Sequence, residues 1–167
     1  MNIILHEPEI PQNTGNIARS CLLTNSTLHL IRPLGFNTDE KSLARSGLDY
    51  WHEVNIKYYD NFHHFLEVNK NAVIYMATTK AKATYSQMKY NKDAFIMFGK
   101  ESAGIPEEIL VNYKATAIRI PMAKTARGDR SLNLATSVGI VLFEALRQHD
   151  FPDMEQKGNL HRLNWED

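Results

Sequence analysis

A chain of 167 residues has the length of one domain, since domains typically hold about 100–200 residues. Its 19 lysines and arginines balance 19 aspartates and glutamates, which excludes a histone-like basic protein, and its single cysteine, Cys21, excludes a disulfide framework or a cysteine-rich zinc site. The amino terminus lacks a basic segment followed by a long apolar run. Uncharged apolar runs such as 72–77 and 138–143 hold six residues, whereas a bilayer requires about 20. We therefore expect a soluble, cytoplasmic protein with no signal peptide and no membrane partner.

Short apolar runs alternate with helical patterns along the chain. The runs predict six strands, at Asn2–His6, Thr27–Ile31, Asn55–Tyr58, Ala72–Ala77, Ala94–Phe98 and Thr116–Ile120. Apolar residues at helical spacing and helix-start signals predict five helices, at Gly15–Asn25, Asp39–Ser46, Asn61–Asn69, Pro106–Leu110 and Ser131–His149. Continuously apolar strands that alternate with helices favour an α/β fold, with a mostly parallel sheet covered by helices on both faces. We predict one such domain over residues 1–151 and a peripheral tail over 152–167.

Basic charge is concentrated in two stretches of the chain. Residues 114–133 carry five lysines and arginines against one aspartate, and residues 78–101 carry five lysines against two acids. Both stretches are largely loops that follow predicted strands, and a parallel sheet binds ligands at the carboxyl ends of its strands. The charge therefore indicates a binding site at that edge, with a merely solvated basic surface as the alternative.

Common catalytic and nucleotide-binding motifs are absent from the sequence. There is no G-x-G-x-x-G, no G-x-S-x-G and no H-E-x-x-H, and the glycine segment 99–104 lacks the Lys-Ser/Thr ending of a phosphate-binding loop. The seven histidines are scattered, which is typical of surface or core residues rather than of a metal site. The chemistry must therefore lie in other segments.

Three loop segments carry the polar residues that remain. In the first, 11–19, Asn16 and Arg19 lie three residues apart, so they share a helix face near the helix start. An arginine there could hold a phosphate together with free backbone N–H groups, although Asn13 and Thr14 also suit a simple helix cap. In the second segment, 98–108, the glycines allow a ligand to approach the backbone closely, and Glu101 is the functional candidate.

The third segment joins the last predicted strand to the last helix. It runs from Ile118–Met122 through a basic loop to Ser131, which suits a helix N-cap. Gly139 inside that helix costs about 1 kcal/mol relative to alanine, which indicates close packing against something, such as a second subunit. Two acidic residues of the second segment have a structural interpretation instead: Glu107 and Glu108 follow Pro106 as ordinary first-turn residues of a helix.

Taken together, the three segments resemble the motifs of the SPOUT class of RNA 2′-O-methyltransferases. The motifs are N-T-G-N-I-A-R at 13–19, F-G-K-E-S-A-G-I-P at 98–106, and I-R-I-P-M with S-L-N-L-A at 118–122 and 131–135. The resemblance extends from Asn2 to about Arg147. Because the sequence shows no extra RNA-binding domain, it is most similar to the minimal members of the class, which act on the tRNA wobble nucleotide. It implies a deep trefoil knot in the carboxyl-terminal part of the sheet and a homodimer. It also implies S-adenosyl-L-methionine as cofactor, S-adenosyl-L-homocysteine as product and no metal, with the tRNA anticodon stem-loop rather than DNA as partner.

The resemblance also assigns roles to individual residues. Cofactor contacts fall at Ala77, Thr78, Gly99, Gly104, Ile120, Met122 and Ser131. Catalytic and binding positions fall at Asn16, Arg19, Glu101, Ser131 and Asn133. We expect the basic loop to hold the RNA backbone through Lys124, Arg127 and Arg130. This loop, 123–130, is a few residues longer than is usual in the family, so both Arg127 and Arg130 remain candidates for the motif arginine.

Three other functions stay open at this point. The protein could methylate another tRNA position or ribosomal RNA, or bind RNA through a knotted fold without catalysis. Setting the resemblance aside, it could be a small flavodoxin-like binding module. The presence of Arg19, Glu101, Ser131 and Asn133 favours an enzyme over a non-catalytic RNA-binding protein.

Overall fold

The computed structural model of the protein describes residues 1–38, 50–124 and 131–165. Within these ranges the strands are β1 Asn2–His6, β2 Thr27–Ile31, β3 Ile56–Tyr59, β4 Ile74–Ala77, β5 Ala83–Thr84, β6 Phe95–Phe98 and β7 Ala117–Arg119. The helices are α1 Pro11–Leu23, α2 Phe62–Val68, α3 Glu107–Leu110 and α4 Leu134–Arg147. Single 3₁₀ turns occupy Trp51–Glu53, Tyr85–Gln87 and Val111–Tyr113.

The strands form one parallel sheet in the order β3-β2-β1-β6-β4-β7-β5. Every pairing is parallel; in the centre, for example, Ile4 of β1 is opposite His29 of β2 and Met97 of β6. The carboxyl ends of β6, β4 and β7 therefore lie side by side at one edge of the sheet. The predicted α/β architecture with a mostly parallel sheet is confirmed.

Helices and apolar residues cover both faces of the sheet, as the continuously apolar strands predicted. Successive residues of β1 point to opposite faces: Ile3 and Leu5 join one buried cluster and Ile4 joins the other. The first cluster includes residues of α1 and α4, such as Ile17 and Val138. The second lies on the side of α2 and α3, and we refer to the two sides as the α1/α4 face and the α2/α3 face.

Three helices begin at residues other than those predicted. Helix α1 begins at Pro11 rather than Gly15, because proline is favoured in the first turn and the amides before it bond to Glu101. Helix α4 begins at Leu134 because Asn133, not Ser131, is the N-cap and accepts from the Thr136 N–H. Pro106 likewise precedes α3 as its N-cap.

The remaining predictions concern short or undescribed segments. Strand β5 was not predicted, because two residues carry no periodic signal. The helix predicted over 39–46 lies outside the described residues. Residues 152–165 form no helix or strand; Met154 packs against the first cluster, and the proposed domain boundary at residue 151 stays a prediction. None of the helices in the described ranges has the length and apolar composition required to span a bilayer.

Candidate active site

Three loops meet at the carboxyl edge of the sheet, after β4, β6 and β7. They contain the residues to which cofactor contact was assigned. The backbone N–H of Thr78, just beyond β4, donates to the carbonyl of Ile118 in β7 at 2.9 Å, which ties the first and third loops together. Ile120 and Met122 continue from β7, and both are partly buried. The adjacency of these loops follows from the strand order and could not be read from their separation in sequence.

The glycine loop, residues 99–104, folds back tightly on itself. The N–H of Gly104 donates to the carbonyl of Lys100 at 2.8 Å. A Cβ on Gly99 would lie 2.0 Å from the carbonyl carbon of Gly104, so only glycine fits there. Gly104 has a φ of 72°, which favours glycine, yet a Cβ at this position would meet no described atom within 4 Å. The loop therefore leaves open space beside its own backbone, where a ligand can approach.

A chain of hydrogen bonds joins the three motif segments. The Asn133 side-chain amide donates to the Asn13 side-chain oxygen at 2.8 Å, and the Asn13 amide donates to Glu101 Oε1 at 2.9 Å. The carboxylate of Glu101 also accepts from the backbone N–H of Glu9 at 2.9 Å and of Ile10 at 3.3 Å. Residues about 90 and 120 positions apart thus converge at the start of α1.

Asn13 is the residue of this network that the sequence did not single out. It was interpreted only as a possible helix cap, yet it is buried and bonds to both Glu101 and Asn133. No local signal distinguishes it from Asn16, because both amides lie in the same motif. The structure also gives Glu101 a positioning task, since its carboxylate caps the start of α1 from another strand's loop.

Asn16 and Arg19 both lie on the exposed side of α1, as their spacing predicted. Neither side chain has a hydrogen bond or ion pair to another residue in the described parts of the chain. One expectation is wrong: Arg19 is not next to free backbone N–H groups at the helix start. The helix begins at Pro11, about two turns earlier, and the N–H groups of Glu9 and Ile10 are already bonded to Glu101.

The third segment lies only partly within the described residues. Asn133 caps α4 and joins the network, while Ser131 is exposed and has no hydrogen bond within the described part of the chain. Lys124 is exposed at the end of the described stretch that follows β7. Arg127 and Arg130 lie outside the described residues, so the choice of motif arginine stays open.

Charged pairs next to the glycine loop set its electrostatics. Lys100 Nζ lies 3.0 Å from Glu7 Oε2, and this hydrogen bond raises the pKa of Lys100. Two hydrogen bonds from Ser102 lower the pKa of Glu9, so that carboxylate is ionised at neutral pH. Within residues 1–38, 50–124 and 131–165, no three histidine, cysteine, aspartate or glutamate side chains are grouped to hold a metal. The edge can bind a polar organic ligand through backbone groups.

A family model described as SpoU rRNA methylase matches residues 1–143. The chain belongs to this SpoU family. A relative, the tRNA (cytidine(34)-2′-O)-methyltransferase of Photorhabdus asymbiotica, is 46% identical over 155 residues, which are 89% of this chain and 93% of that protein. The resemblance inferred from the three motifs is thereby confirmed.

Solved structures of similar proteins share the fold of this chain. One, from work on the 2-OH methylation of C/U34 on tRNA, aligns with a TM-score of 0.81 and 39% identity over 89% of this chain and 95% of that chain. Another, an AdoMet-bound rRNA methyltransferase from Sinorhizobium meliloti, aligns with a TM-score of 0.72 and 26% identity over 87% of this chain and 55% of that chain.

Proposed function

We propose that this SpoU-family protein transfers the methyl group of S-adenosyl-L-methionine to the ribose 2′-hydroxyl of nucleotide 34, the wobble cytidine or uridine, in the tRNA anticodon stem-loop. The observation that carries the proposal is the Asn13–Glu101–Asn133 network, which unites the three motif segments beside the glycine loop. Relatives and a solved structure concerned with methylation at C34 or C/U34 support the substrate. We place the enzyme in the cytoplasm, with no membrane or DNA partner.

The chain's own residues fit the cofactor at the carboxyl edge. The glycine loop has open space beside Gly104, and the backbone after β4 and β7 lies alongside it. We assign the cofactor contacts to the residues named from the resemblance, Ala77, Thr78, Gly99, Gly104, Ile120, Met122 and Ser131. S-adenosylmethionine supplies a methyl group that its sulfonium already activates, so we propose that no metal takes part.

Arg19 is the residue that we assign to the reacting nucleotide. An arginine stays protonated in proteins, so it is not the base. Its guanidinium instead holds the nucleotide's phosphate and stabilises the negative charge that develops on the 2′-oxygen, and an oxygen of that phosphate accepts the hydroxyl proton. Asn16, Glu101, Ser131 and Asn133 orient the nucleotide and the surrounding loops.

We further propose that the active form is a homodimer built on α1 and α4. Apolar side chains of both helices are exposed, Leu23 by 68% and Phe143 by 46%, as is Leu132 just before α4, by 38%. A Cβ on Gly139 would meet no described atom within 4 Å, so the helix surface there is open to a second copy. In such a dimer the partner subunit's Arg19 would complete the site, which accounts for an arginine without a partner among the described residues.

The strand order supports the proposed trefoil knot. The chain passes from β4 to β5 and forms β6 before β7 enters between β4 and β5. The segment that joins β4 to β5 thus crosses the end of β7, and we propose that the chain after β7 threads beneath this segment. Helix α4, which follows, packs against β6 and against the turn at Tyr85–Gln87. Knots are rare in proteins, so a threaded connection would distinguish this fold from an ordinary parallel α/β sheet.

The test is methylation of an unmodified tRNA transcript by the purified protein. We expect 2′-O-methylcytidine or 2′-O-methyluridine at position 34, mapped by mass spectrometry, and loss of the same mark in a deletion strain. Calorimetry should give the same affinity for S-adenosylhomocysteine with and without a chelator. A mark elsewhere in tRNA or in rRNA would change the substrate, cofactor binding without methylation would indicate an RNA-binding protein, and absence of cofactor binding would favour the flavodoxin-like module.

A further inference from the structure

The segment between β1 and α1, residues 7–10, is joined to the glycine loop by side chains that cross in both directions. From the loop, Glu101 accepts hydrogen bonds from the N–H groups of Glu9 and Ile10. In return, the carboxylate of Glu9 accepts from the Ser102 backbone N–H at 2.9 Å and from the Ser102 hydroxyl at 2.8 Å. Each carboxylate uses both oxygens, so two bidentate contacts face each other.

Residues 7–10 have one further contact with the glycine loop and one with the segment that follows β2. The ion pair of Lys100 with Glu7 adds a third link to the glycine loop. After β2, the Gly35 N–H donates to the Pro8 carbonyl at 2.9 Å. A Cβ on Gly35 would lie 2.6 Å from the Glu9 carbonyl oxygen, so the backbones are already in contact. A shift of the glycine loop is therefore passed to the residues that precede Pro11, the first residue of α1.

We propose that Glu9 and Ser102 are a positioning pair that couples occupancy of the glycine loop to the placement of α1, and through α1 to Arg19, which in the proposed dimer serves the site of the other subunit. The inference rests on the proposed function, since it assumes that a cofactor contacts the loop. A single hydrogen bond allows two segments to pivot about it, whereas a bidentate contact defines their relative orientation. Glu101 fixes the start of α1 against the loop, and the Glu9–Ser102 contact removes the remaining rotation.

The contact acts on orientation more than on stability. Both hydrogen bonds from Ser102 keep the pKa of Glu9 low, but Ser102 is exposed, and charged contacts in water add little to folding stability. A change at Glu9 should thus leave the protein folded while misplacing the arginine. Small displacements of a catalytic group have large effects on rate, so turnover is the sensitive readout.

The experiment compares Glu9→Ala, Ser102→Ala, the conservative Glu9→Gln and the control Glu67→Ala, which removes an exposed carboxylate from α2. We expect Glu9→Ala to lower kcat by about 10- to 100-fold while KM for tRNA and the affinity for S-adenosylhomocysteine stay near the wild-type values. Glu9→Gln should retain most of kcat, because its amide oxygen accepts from the Ser102 N–H and its NH₂ donates to the hydroxyl. Glu67→Ala should match the wild type.

Hydrogen–deuterium exchange supplies a readout that does not depend on activity. In the wild type, S-adenosylhomocysteine should slow exchange both in the glycine loop and at the N–H groups of Glu9 and Ile10. In Glu9→Ala, protection should persist in the loop and be lost at Ile10. Should Glu9→Ala fail to fold, Ser102→Ala carries the test, with a smaller fall in kcat because the backbone hydrogen bond remains.

The outcomes separate this inference from the proposed function. If the wild type neither binds S-adenosylhomocysteine nor methylates tRNA, the proposed function fails. If the wild type is active and the Glu9 and Ser102 variants keep its kcat and its exchange pattern, the coupling is overturned while the function stands. A rise in KM alone, or a Glu9→Gln variant as slow as Glu9→Ala, would also overturn a positioning role.

Discussion

The two faces of the sheet differ in how completely their side chains are paired and covered. On the α2/α3 face, a buried His29 stacks on Tyr59 and contacts Phe65 and Phe95 edge-on. The polar atoms of this group satisfy one another: His29 Nδ1 lies 2.9 Å from the Tyr59 hydroxyl and Nε2 lies 3.1 Å from Asn2 Oδ1. Because the Asn2 oxygen can only accept, Nε2 carries the proton and Tyr59 donates to Nδ1.

The α1/α4 face is closed over its core but not over its outer surface. It exposes Leu23 and Phe143, leaves open space beside Gly139 and presents Arg19 with no partner among the described residues. We therefore expect the outer surface of the α1/α4 face to serve function, whereas the buried polar and aromatic group of the α2/α3 face serves stability. Substitutions on the α2/α3 face should change unfolding without changing methylation, and those on the outer side of α1 and α4 should do the reverse.

The largest effect is expected for Arg19→Ala. Methyl transfer should fall by about 10²–10³-fold, the usual result of removing a group that stabilises a developing oxyanion. S-adenosylhomocysteine should bind with unchanged affinity, because Arg19 lies outside the three loops to which we assign the cofactor. Arg19→Lys should restore little, since lysine lacks the planar guanidinium. Single-turnover methylation together with calorimetry measures both quantities, and near-normal turnover of Arg19→Ala would refute the assignment.

The next prediction concerns the open surface of α4. Gly139→Leu should leave the fold intact, because its side chain has room in the isolated subunit, yet it should prevent two copies from packing closely. We expect a folded monomer without methylation activity. Sedimentation, circular dichroism and the methylation assay decide this together. A folded, monomeric and fully active variant would contradict a site shared between subunits.

On the other face, His29→Leu should reduce stability and leave catalysis unchanged. The substitution removes the partner of the Asn2 and Tyr59 side chains and disturbs a packed aromatic group. It should therefore lower the free energy of unfolding by about 2–4 kcal/mol. The matched control is His52→Leu, at a side chain that is 78% exposed. Urea unfolding gives the stability. A fall in kcat at urea concentrations well below the unfolding transition would contradict the prediction that His29 affects stability alone.

His29 also predicts how stability depends on pH. Burial lowers its pKa to about 4, while the unfolded chain takes up this proton near pH 6.5. Between these values the unfolded state binds more protons than the folded state. The contribution of His29 to the free energy of unfolding is therefore complete above pH 6.5 and is lost as the pH falls to 4. This contribution is about 3 kcal/mol. Urea unfolding from pH 7 to 4 should show this fall, and His29→Leu should flatten it.

The same contrast explains what the sequence could predict. The sheet, its parallel strands and its two covered faces follow from local apolar patterns, as in β1 and β6. The start of α1 does not, because its cap, Glu101, comes from a loop about 90 residues away. Asn13 was missed for the same reason: its partners, Glu101 and Asn133, are adjacent only after the strands are ordered. Contacts between distant loops leave no periodic signal in the chain.

The smallest effect separates the two tasks of Asn133, which caps α4 and also bonds to Asn13. Serine caps a helix about as well as asparagine but is too short to reach Asn13, whereas alanine does neither. Asn133→Ser should therefore lower the free energy of unfolding by about 1 kcal/mol, because the buried Asn13 oxygen loses its donor, and Asn133→Ala should lower it by about 2 kcal/mol, because the helix cap is lost as well. Both should slow methylation by a similar factor, about tenfold, because both release Asn13 from the third motif segment. Urea unfolding and kcat measured on the two variants test this. Wild-type turnover in Asn133→Ser would mean that the link to Asn13 serves only the fold, and the contrast between the faces would then not extend to the carboxyl edge.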